Sequence, residues 1–273
     1  MQALTQWPLQ ARRSITGVLT DIDDTLTTQG AITLDALAAL HDLKAAGLPV
    51  IAITGRSVGW SAPFAQSWPL DAIVAENGAV ALLSAQKGRL RTSDMHEQLS
   101  KIYQQDAALR LVNRTRVRQV AGRVLREVRG AALAQDSAGR ETDMAIDHSE
   151  FTHLSPESIA QAVQIMRSEG MNATVSSIHI NGWFGSHNKL DGARWIVREL
   201  LGRNLDAEMA SWVYVGDSTN DALMFEAFGN SVGVANVRHF EAQLSCKPRY
   251  VTLGERGAGF AEVAASVLAA LKS

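Results

Sequence analysis

Apolar runs recur along this chain as short stretches, each ending in a polar cluster. Residues 15–20 (Ile15, Thr16, Gly17, Val18, Leu19, Thr20) run straight into Asp21, Ile22, Asp23, Asp24, Thr25 and Leu26. Such a run reads as a buried strand opening into a polar site. The pattern repeats at 48–53, ending in Thr54, Gly55 and Arg56, and at 72–75, ending in the turn Glu76, Asn77, Gly78. It returns at 212–215, ending in Gly216 and Asp217, and shorter strands are expected at 79–83 and 231–234. Between them the period is helical. Thr33 can cap a helix carrying Leu34, Leu37, Leu40 and Leu43, and Gly47 can stop it. Further helices are expected at 57–66 (less regular, with Pro63), 190–201, 222–228 and 258–271. Strands alternating with helices predict an α/β fold: a Rossmann-like parallel sheet, helices on both faces, right-handed crossovers. Ligands of such sheets sit at the carboxyl ends of strands, where Asp21, Thr54, Asn77 and Asp217 all fall.

The middle of the chain breaks this rhythm. Residues 84–183 are more polar. They hold a basic helical stretch (109–129), a strand candidate (141–148), a helix to Gly170 with Ser155 as cap and Pro156 at its first position, and an alternating stretch at 173–184. This predicts an α+β cap domain at 84–183, inserted into a core of 1–83 and 184–273 and covering the active edge of the sheet. Gly30 and 84–88 are loop signals, and there is no internal repeat or low-complexity segment.

Composition narrows the function classes. The 273 residues are 46% hydrophobic and 20% charged, enough for an ordinary globular core. The net charge of -2 gives no basic surplus for nucleic acid or an anionic membrane. A single cysteine, Cys246, excludes an internal disulfide framework and fits a reducing cytoplasm. No signal peptide and no membrane-length apolar run is expected.

Asp21 and Asp23 stand two residues apart at a strand end. Clustering carboxylates in a buried setting is costly unless something offsets their charge, and a hard divalent cation is the simplest candidate. A turn or a helix cap is the alternative reading of such a pair. Three further elements sharpen the choice: Thr54-Gly55, a hydroxyl and a flexible backbone N–H suited to phosphate oxygens; Lys189, a cation at a helix start; and Gly216-Asp217-Ser218-Thr219-Asn220-Asp221, a second acidic cluster after a strand. Asp217 and Asp221 can also cap the following helix.

In this order and context, these four elements resemble the motifs of the haloacid-dehalogenase-like phosphohydrolase superfamily. The resemblance covers residues 13–83 and 184–273. An insert between the second and third motifs is similar to the branch with the larger α/β cap, subfamily IIB or Cof-type. That branch includes the sucrose-phosphate, trehalose-phosphate and mannosyl-3-phosphoglycerate phosphatases and phosphomannomutase. Thr54-Gly55-Arg56 and Glu76-Asn77-Gly78-Ala79 are also typical of it. The branch usually has Gly where Asp24 stands; Asp tolerates unusual backbone angles, so activity is expected to survive.

The resemblance implies a Mg²⁺-dependent phosphatase acting through an aspartyl-phosphate. Asp21 would be the nucleophile and Asp23 the general acid and base. Mg²⁺ would be held by Asp21, the backbone carbonyl of Asp23, Asp217 and, directly or through water, Asp221. Thr54, Gly55, Arg56, Asn77, Lys189 and Asn220 would contact phosphate or substrate, with Lys189 screening developing charge. Asn220 could instead orient Asp217 or Lys189, and Asn188 could cap the helix beside Lys189. The expected substrate is a small phosphorylated metabolite, foremost a sugar phosphate; the expected protein is a cytoplasmic monomer or homodimer without nucleic-acid or membrane partners. The alternatives are a phosphomutase of the phosphomannomutase kind and a non-catalytic phosphate-ligand sensor.

In the cap, Arg140, Glu141, Asp143, His148, His179 and Asn181 are candidates for touching substrate. The arginines at 114, 116, 118, 123, 126 and 129 alternate with Val and Leu, which reads as an amphipathic cap helix rather than a nucleic-acid face. Trp195 and Trp212 are expected to pack in the core, whereas Trp183 could stack on a sugar. The histidines show no metal-ligand spacing.

Overall fold

The strand that carries Asp21 is buried along its whole length, as a strand covered on both faces must be. A computed structural model describes residues 1–83 and 99–273; the loop signals at 84–88 and the expected start of the cap lie outside the described residues. In chain order the strands are β1 (Gln2–Ala3), β2 (Gly17–Thr20), β3 (Thr27–Thr28), β4 (Ala31–Ile32), β5 (Val50–Ile53), β6 (Ala72–Ala75), β7 (Val80–Leu83) and β8 (Ser100–Tyr103). They continue with β9 (Ala132–Leu133), β10 (Asp143–Asp147), β11 (Asn172–Val175), β12 (His179–Trp183), β13 (Trp212–Gly216), β14 (Ser231–Gly233) and β15 (Tyr250–Val251).

The large sheet has nine strands in the order β1-β15-β14-β13-β2-β5-β6-β7-β8. It is parallel from β1 to β6, and β7 and β8 run antiparallel at one edge. Helices Leu34–Ala45, Val58–Ser67 and Arg256–Leu271 cover one face; Lys189–Leu201 and Ala222–Ala227 cover the other. Thr33 caps the first of these through the Ala36 N–H, and the chain stops it at Ala45, with Gly47 at φ 79°. Among the described residues no helix is long and apolar enough to cross a membrane.

A second, four-stranded antiparallel sheet, β11-β12-β10-β9, carries helices Ala107–Glu127 and Pro156–Ser168 on one face. Met144, Ile146 and Ile180 pack against Val117, Val120, Val124, Ala162 and Met166. The strand period of two then turns Asp143, Asp147, His179, Asn181 and Trp183 to the other face, where all five are buried. The alternating stretch expected at 173–184 is two strands, and the strand expected at 141–148 is shorter because the N–H groups of Glu141 and Thr142 bond Glu76 instead of a ladder. Strand β8 belongs to the large sheet, so the inserted segment expected at 84–183 shares that strand with the core. Strands β1, β8 and β15, the β3–β4 hairpin and helices Leu9–Arg13 and Leu205–Glu208 have no counterpart in the sequence reading; all are of two to five residues.

Candidate active site

Five neighbouring strands, β14, β13, β2, β5 and β6, end on one edge and hand the chain to polar loops. The register pairs Val215 with Thr20, and the Asp21 N–H donates to the Val215 carbonyl at 2.8 Å. Asp21 and Asp217 therefore emerge side by side. Carboxylate oxygens of Asp21, Asp217 and Asp221 lie within 4.8 Å of one another, and all three residues are buried.

One lysine answers these three charges. Lys189 Nζ donates to Asp21 Oδ1 and Asp221 Oδ1, each at 2.7 Å, with the lysine 3% exposed. Lysine at the first turn of a helix opposes the macrodipole, so this position is not explained by helix stability. The helix begins there because Asn188 caps it by accepting the Asp191 N–H at 2.9 Å. It can approach because Gly78 and Gly192 are bare: a Cβ on Gly78 would fall 2.3 Å from the Asn188 carbonyl oxygen.

Asp221 is saturated. Its Oδ2 accepts the N–H groups of Asp217 and Ser218 at 3.0 and 3.1 Å, and its Oδ1 accepts the Tyr214 hydroxyl besides Lys189. Asp217 is the opposite case. Asn236 Nδ2 donates to its Oδ2 at 3.1 Å, while Oδ1 is buried with no partner. A buried, unpaired carboxylate oxygen beside two other carboxylates is a place where a cation fits. Burial, with Asp21 and Asp221 close by, pushes the Asp217 carboxyl well above the usual range. Burial likewise lifts Asp21 to about 7, against the pull of Lys189.

Asp23 stands apart from this cluster. Its carboxylate faces the Arg56 guanidinium at 2.9 Å, and Arg56 reaches on to Glu150 of the second sheet's loops at 2.7 and 3.1 Å. His179 meets Glu150 at 2.9 Å, and Asp147 accepts the N–H groups of residues 149–152, which fixes the Glu150 loop. Burial raises the Asp23 carboxyl above its ordinary range, with Arg56 opposing. Burial would raise Glu150 too, but the His179 and Arg56 bonds hold it down at about 2.

Thr54 is fully buried and its Oγ1 accepts the Arg56 N–H at 3.0 Å. Asn77 sits at φ 56° with its N–H on the Thr54 carbonyl and its side-chain Nδ2 buried and unpartnered. Asn77, Lys189 and Asn220 line a cavity of about 400 Å³ together with Trp183 and His187. Asn220 Oδ1 accepts the Ser218 hydroxyl at 3.0 Å; it touches neither Asp217 nor Lys189 in the bonds formed here. Trp183 is buried and donates Nε1 to the His187 carbonyl at 2.8 Å. On the other side, Asp23, Asp24, Arg56, Glu150, Phe151 and Arg256 line a second cavity of about 390 Å³.

The structure thus gathers Asp21, Asp217, Asp221 and Lys189 at one point. It places Thr54, Gly55 and Asn77 on the adjacent strand ends and turns the side chain of Asp23 away to Arg56. Asp24 has φ 54°, the left-handed region a Gly would occupy freely, and is paired with Arg256 at 3.0 Å. Of the cap candidates, Arg140 and Asn181 bond the Gly55 carbonyl, Asp143 bonds Arg140, and Glu141 bonds Lys101 and Tyr103. His148 bonds the Ser176 carbonyl. Glu150, Tyr214 and Asn236 belong to the site and were not singled out from sequence. Asn236 follows β14 as the others follow their strands, so the same strand-end rule points to it; Tyr214 and Glu150 carry no local signal.

The model of the haloacid dehalogenase-like hydrolases matches residues 18–115, the stretch that carries Asp21, Asp23 and Thr54. Over that stretch the chain is similar to the haloacid dehalogenase-like hydrolases. A curated relative, the phosphoglycolate phosphatase of Methanothermobacter thermautotrophicus, is 26% identical over 258 residues, covering 90% of this chain and 95% of its own. Two solved structures share the fold of this chain. The sucrose-phosphatase of Synechocystis, solved with sucrose and phosphate, superposes with a TM-score of 0.63 at 16% identity over 93% of this chain and 98% of its own. A subclass IIB sugar phosphatase gives 0.60 at 14% identity over 92% and 96%.

Proposed function

We propose that this hydrolase is a divalent-metal-dependent phosphatase, with Mg²⁺ as its metal, acting on a small phosphorylated metabolite of the sugar-phosphate kind. One observation carries the reading: of three clustered buried carboxylates, Asp21 and Asp221 share the Lys189 ammonium, while Asp217 Oδ1 has no partner. Asp21, Asp217 and the Asp23 carbonyl would hold the metal, with Asp221 behind them. Bound there, the metal supplies the positive charge that keeps the carboxylates ionised and neutralises the phosphoryl oxygens.

The chain's own residues do the rest. Lys189 pulls Asp21 toward its ionised form, against burial, and aims it. An Asp21 carboxylate oxygen forms a bond to phosphorus as the bond from phosphorus to the leaving oxygen breaks. Asp23, its carboxyl raised by burial, delivers a proton to that oxygen. It then takes a proton from water, whose oxygen bonds phosphorus and frees Asp21. Arg56 keeps the Asp23 side chain away from the carboxylate cluster, so the two aspartates hold different jobs. Thr54, the Gly55 N–H, Asn77 and Asn220 would hold phosphoryl or substrate oxygens. The inserted cap, taken as 84–183 and sharing β8 with the core, would select the leaving group. The relatives named above support the class: a phosphoglycolate phosphatase, a sucrose-phosphatase and a sugar phosphatase.

The test is phosphate release from p-nitrophenyl phosphate and a panel of phosphorylated sugars and acids, with Mg²⁺ and with chelator. Release that needs metal supports the reading. Isomerisation without free phosphate would replace it with a phosphomutase, and no turnover of any kind with a sensor.

A further inference from the structure

The carbonyl of Gly55 receives two hydrogen bonds, one from Asn181 on β12 and one from Arg140 in the loop that leads into β10. Arg140 Nη1 donates at 3.0 Å and Asn181 Nδ2 at 3.1 Å. Both donors are buried, at 8% and 1% exposure. Neither is loosely placed. The Arg140 guanidinium is pinned by Asp143 at 2.8 and 2.9 Å and by Asp136 at 3.0 and 3.1 Å. Asn181 leans on Asp143 as well, at 3.4 Å. Asp136 also accepts the Ser57 N–H at 3.0 Å, so the same cluster grips the loop again two residues on.

A peptide unit is planar, so holding its carbonyl oxygen fixes the direction of the N–H on its other side. The N–H opposite the Gly55 carbonyl is that of Arg56, and it donates to Thr54 Oγ1 at 3.0 Å. With one lone pair of Thr54 occupied by that N–H, the hydroxyl hydrogen is left to donate outward. A charged donor on the carbonyl also polarises the unit and strengthens the bond its N–H makes. The chain of contact therefore runs from Arg140 and Asn181, through one peptide plane, to the threonine hydroxyl.

We propose that Arg140 and Asn181 are positioning residues that set the peptide between Gly55 and Arg56, and through it the Thr54 hydroxyl. The phosphate-binding loop is then in register only while the cap lies on the core. This rests on the phosphatase reading, in which Thr54 holds a phosphoryl oxygen. It assigns Arg140 and Asn181 to the loop rather than to the substrate's leaving group.

The test is a pair of double-mutant cycles on the full chain, with p-nitrophenyl phosphate and Mg²⁺. Asn181→Leu and Arg140→Lys are each made with Thr54 intact and with Thr54→Val. Each single cap substitution is expected to lower kcat/KM about tenfold, the equivalent of one hydrogen bond, and to weaken inhibition by inorganic phosphate by a similar factor. In the Thr54→Val background the same substitutions are expected to cost less than about twofold, because the group they position is gone. Equal losses in both backgrounds, or no loss with Thr54 intact, would overturn the proposal while leaving the phosphatase reading standing. An inactive wild-type chain would overturn both.

Discussion

At the carboxylate cluster, three aspartates stand with one lysine; at the seam between the two sheets, each of the ion-paired carboxylates has its own contact with an arginine or a lysine. Asp21 and Asp221 share Lys189, and Asp217 stands beside them without an ion pair to it. Across the seam, Asp23 and Glu150 share Arg56 with His179 at the end of the row, Asp136 and Asp143 flank Arg140, and Glu141 pairs with Lys101. Apart from the exposed Lys101–Glu141 pair, both regions are largely buried and cost several kcal/mol to desolvate. The seam offsets that cost internally, so its charges hold parts together. The cluster does not, and its surplus negative charge is where an outside cation would be drawn. Density of charge therefore says less about function than its imbalance.

Removing the nucleophile should have the largest effect. Asp21→Asn keeps the shape of the cluster but offers an amide, and kcat is expected to fall at least about a thousandfold in a phosphate-release assay. Residual activity near wild type would move the chemistry off Asp21. Next comes the unpaired oxygen. Asp217→Asn should weaken metal binding, seen as at least a roughly tenfold rise in the Mg²⁺ concentration for half-maximal activity, and should abolish most of the rise in melting temperature that Mg²⁺ gives the wild type. An unchanged Mg²⁺ response would mean the surplus charge is not the metal site.

The seam should respond more mildly. Glu150→Gln leaves Arg56 with Asp23 but takes the charge, and one of two acceptor oxygens, from its tie across to the second sheet. A loss of kcat/KM of about tenfold is expected, larger for a bulky sugar phosphate than for p-nitrophenyl phosphate. An equal loss for both would remove substrate selection from the seam's role. The smallest effect is on stability. Burial pushes the His187 imidazole from 6.5 down to about 4. Between those values the unfolded chain takes up a proton that the native state does not, so this residue's contribution falls as pH drops through that window. The stability difference between wild type and His187→Gln should therefore widen in favour of wild type from pH 4 to 6.5, by no more than about 1.4 kcal/mol per pH unit. A flat difference would mean that the imidazole is not neutral in the fold.

The core was readable from sequence because its elements are long, apolar and punctuated. Residues 72–75 form the strand expected to the residue, and Thr33, Ser155 and Asn188 cap the helices they precede. The edges were not readable. Strands such as β1 and β15 hold two residues each, too few to show a period, and are defined by their neighbours in space. The site divides the same way. Asp21, Thr54, Asn77 and Asp217 follow strands and could be picked out. Glu150 owes its place to Arg56, ninety-four residues away in sequence, and no local pattern reports such a pairing. Asp143, His179 and Asn181, candidates from sequence for touching substrate, are instead buried where the loops after β5 and β6 meet that face of the second sheet.

Asp24 joins the two regions. Its left-handed backbone would be easier for Gly, and its carbonyl accepts from Asn236, which also donates to Asp217. A branch position usually held by Gly is here occupied by a residue tied both to the acidic cluster and, through Arg256, to the mouth of the cavity beside Asp23.

The division of labour between the two motif aspartates is the claim on which the comparison stands. It is tested most directly by mass spectrometry of Asp23→Asn protein quenched in acid after incubation with substrate and Mg²⁺. The added mass of one phosphoryl group is expected on the peptide containing Asp21, persisting because the base that activates water is gone. Wild-type turnover by Asp23→Asn, or a phosphoryl group found on another residue, would contradict it.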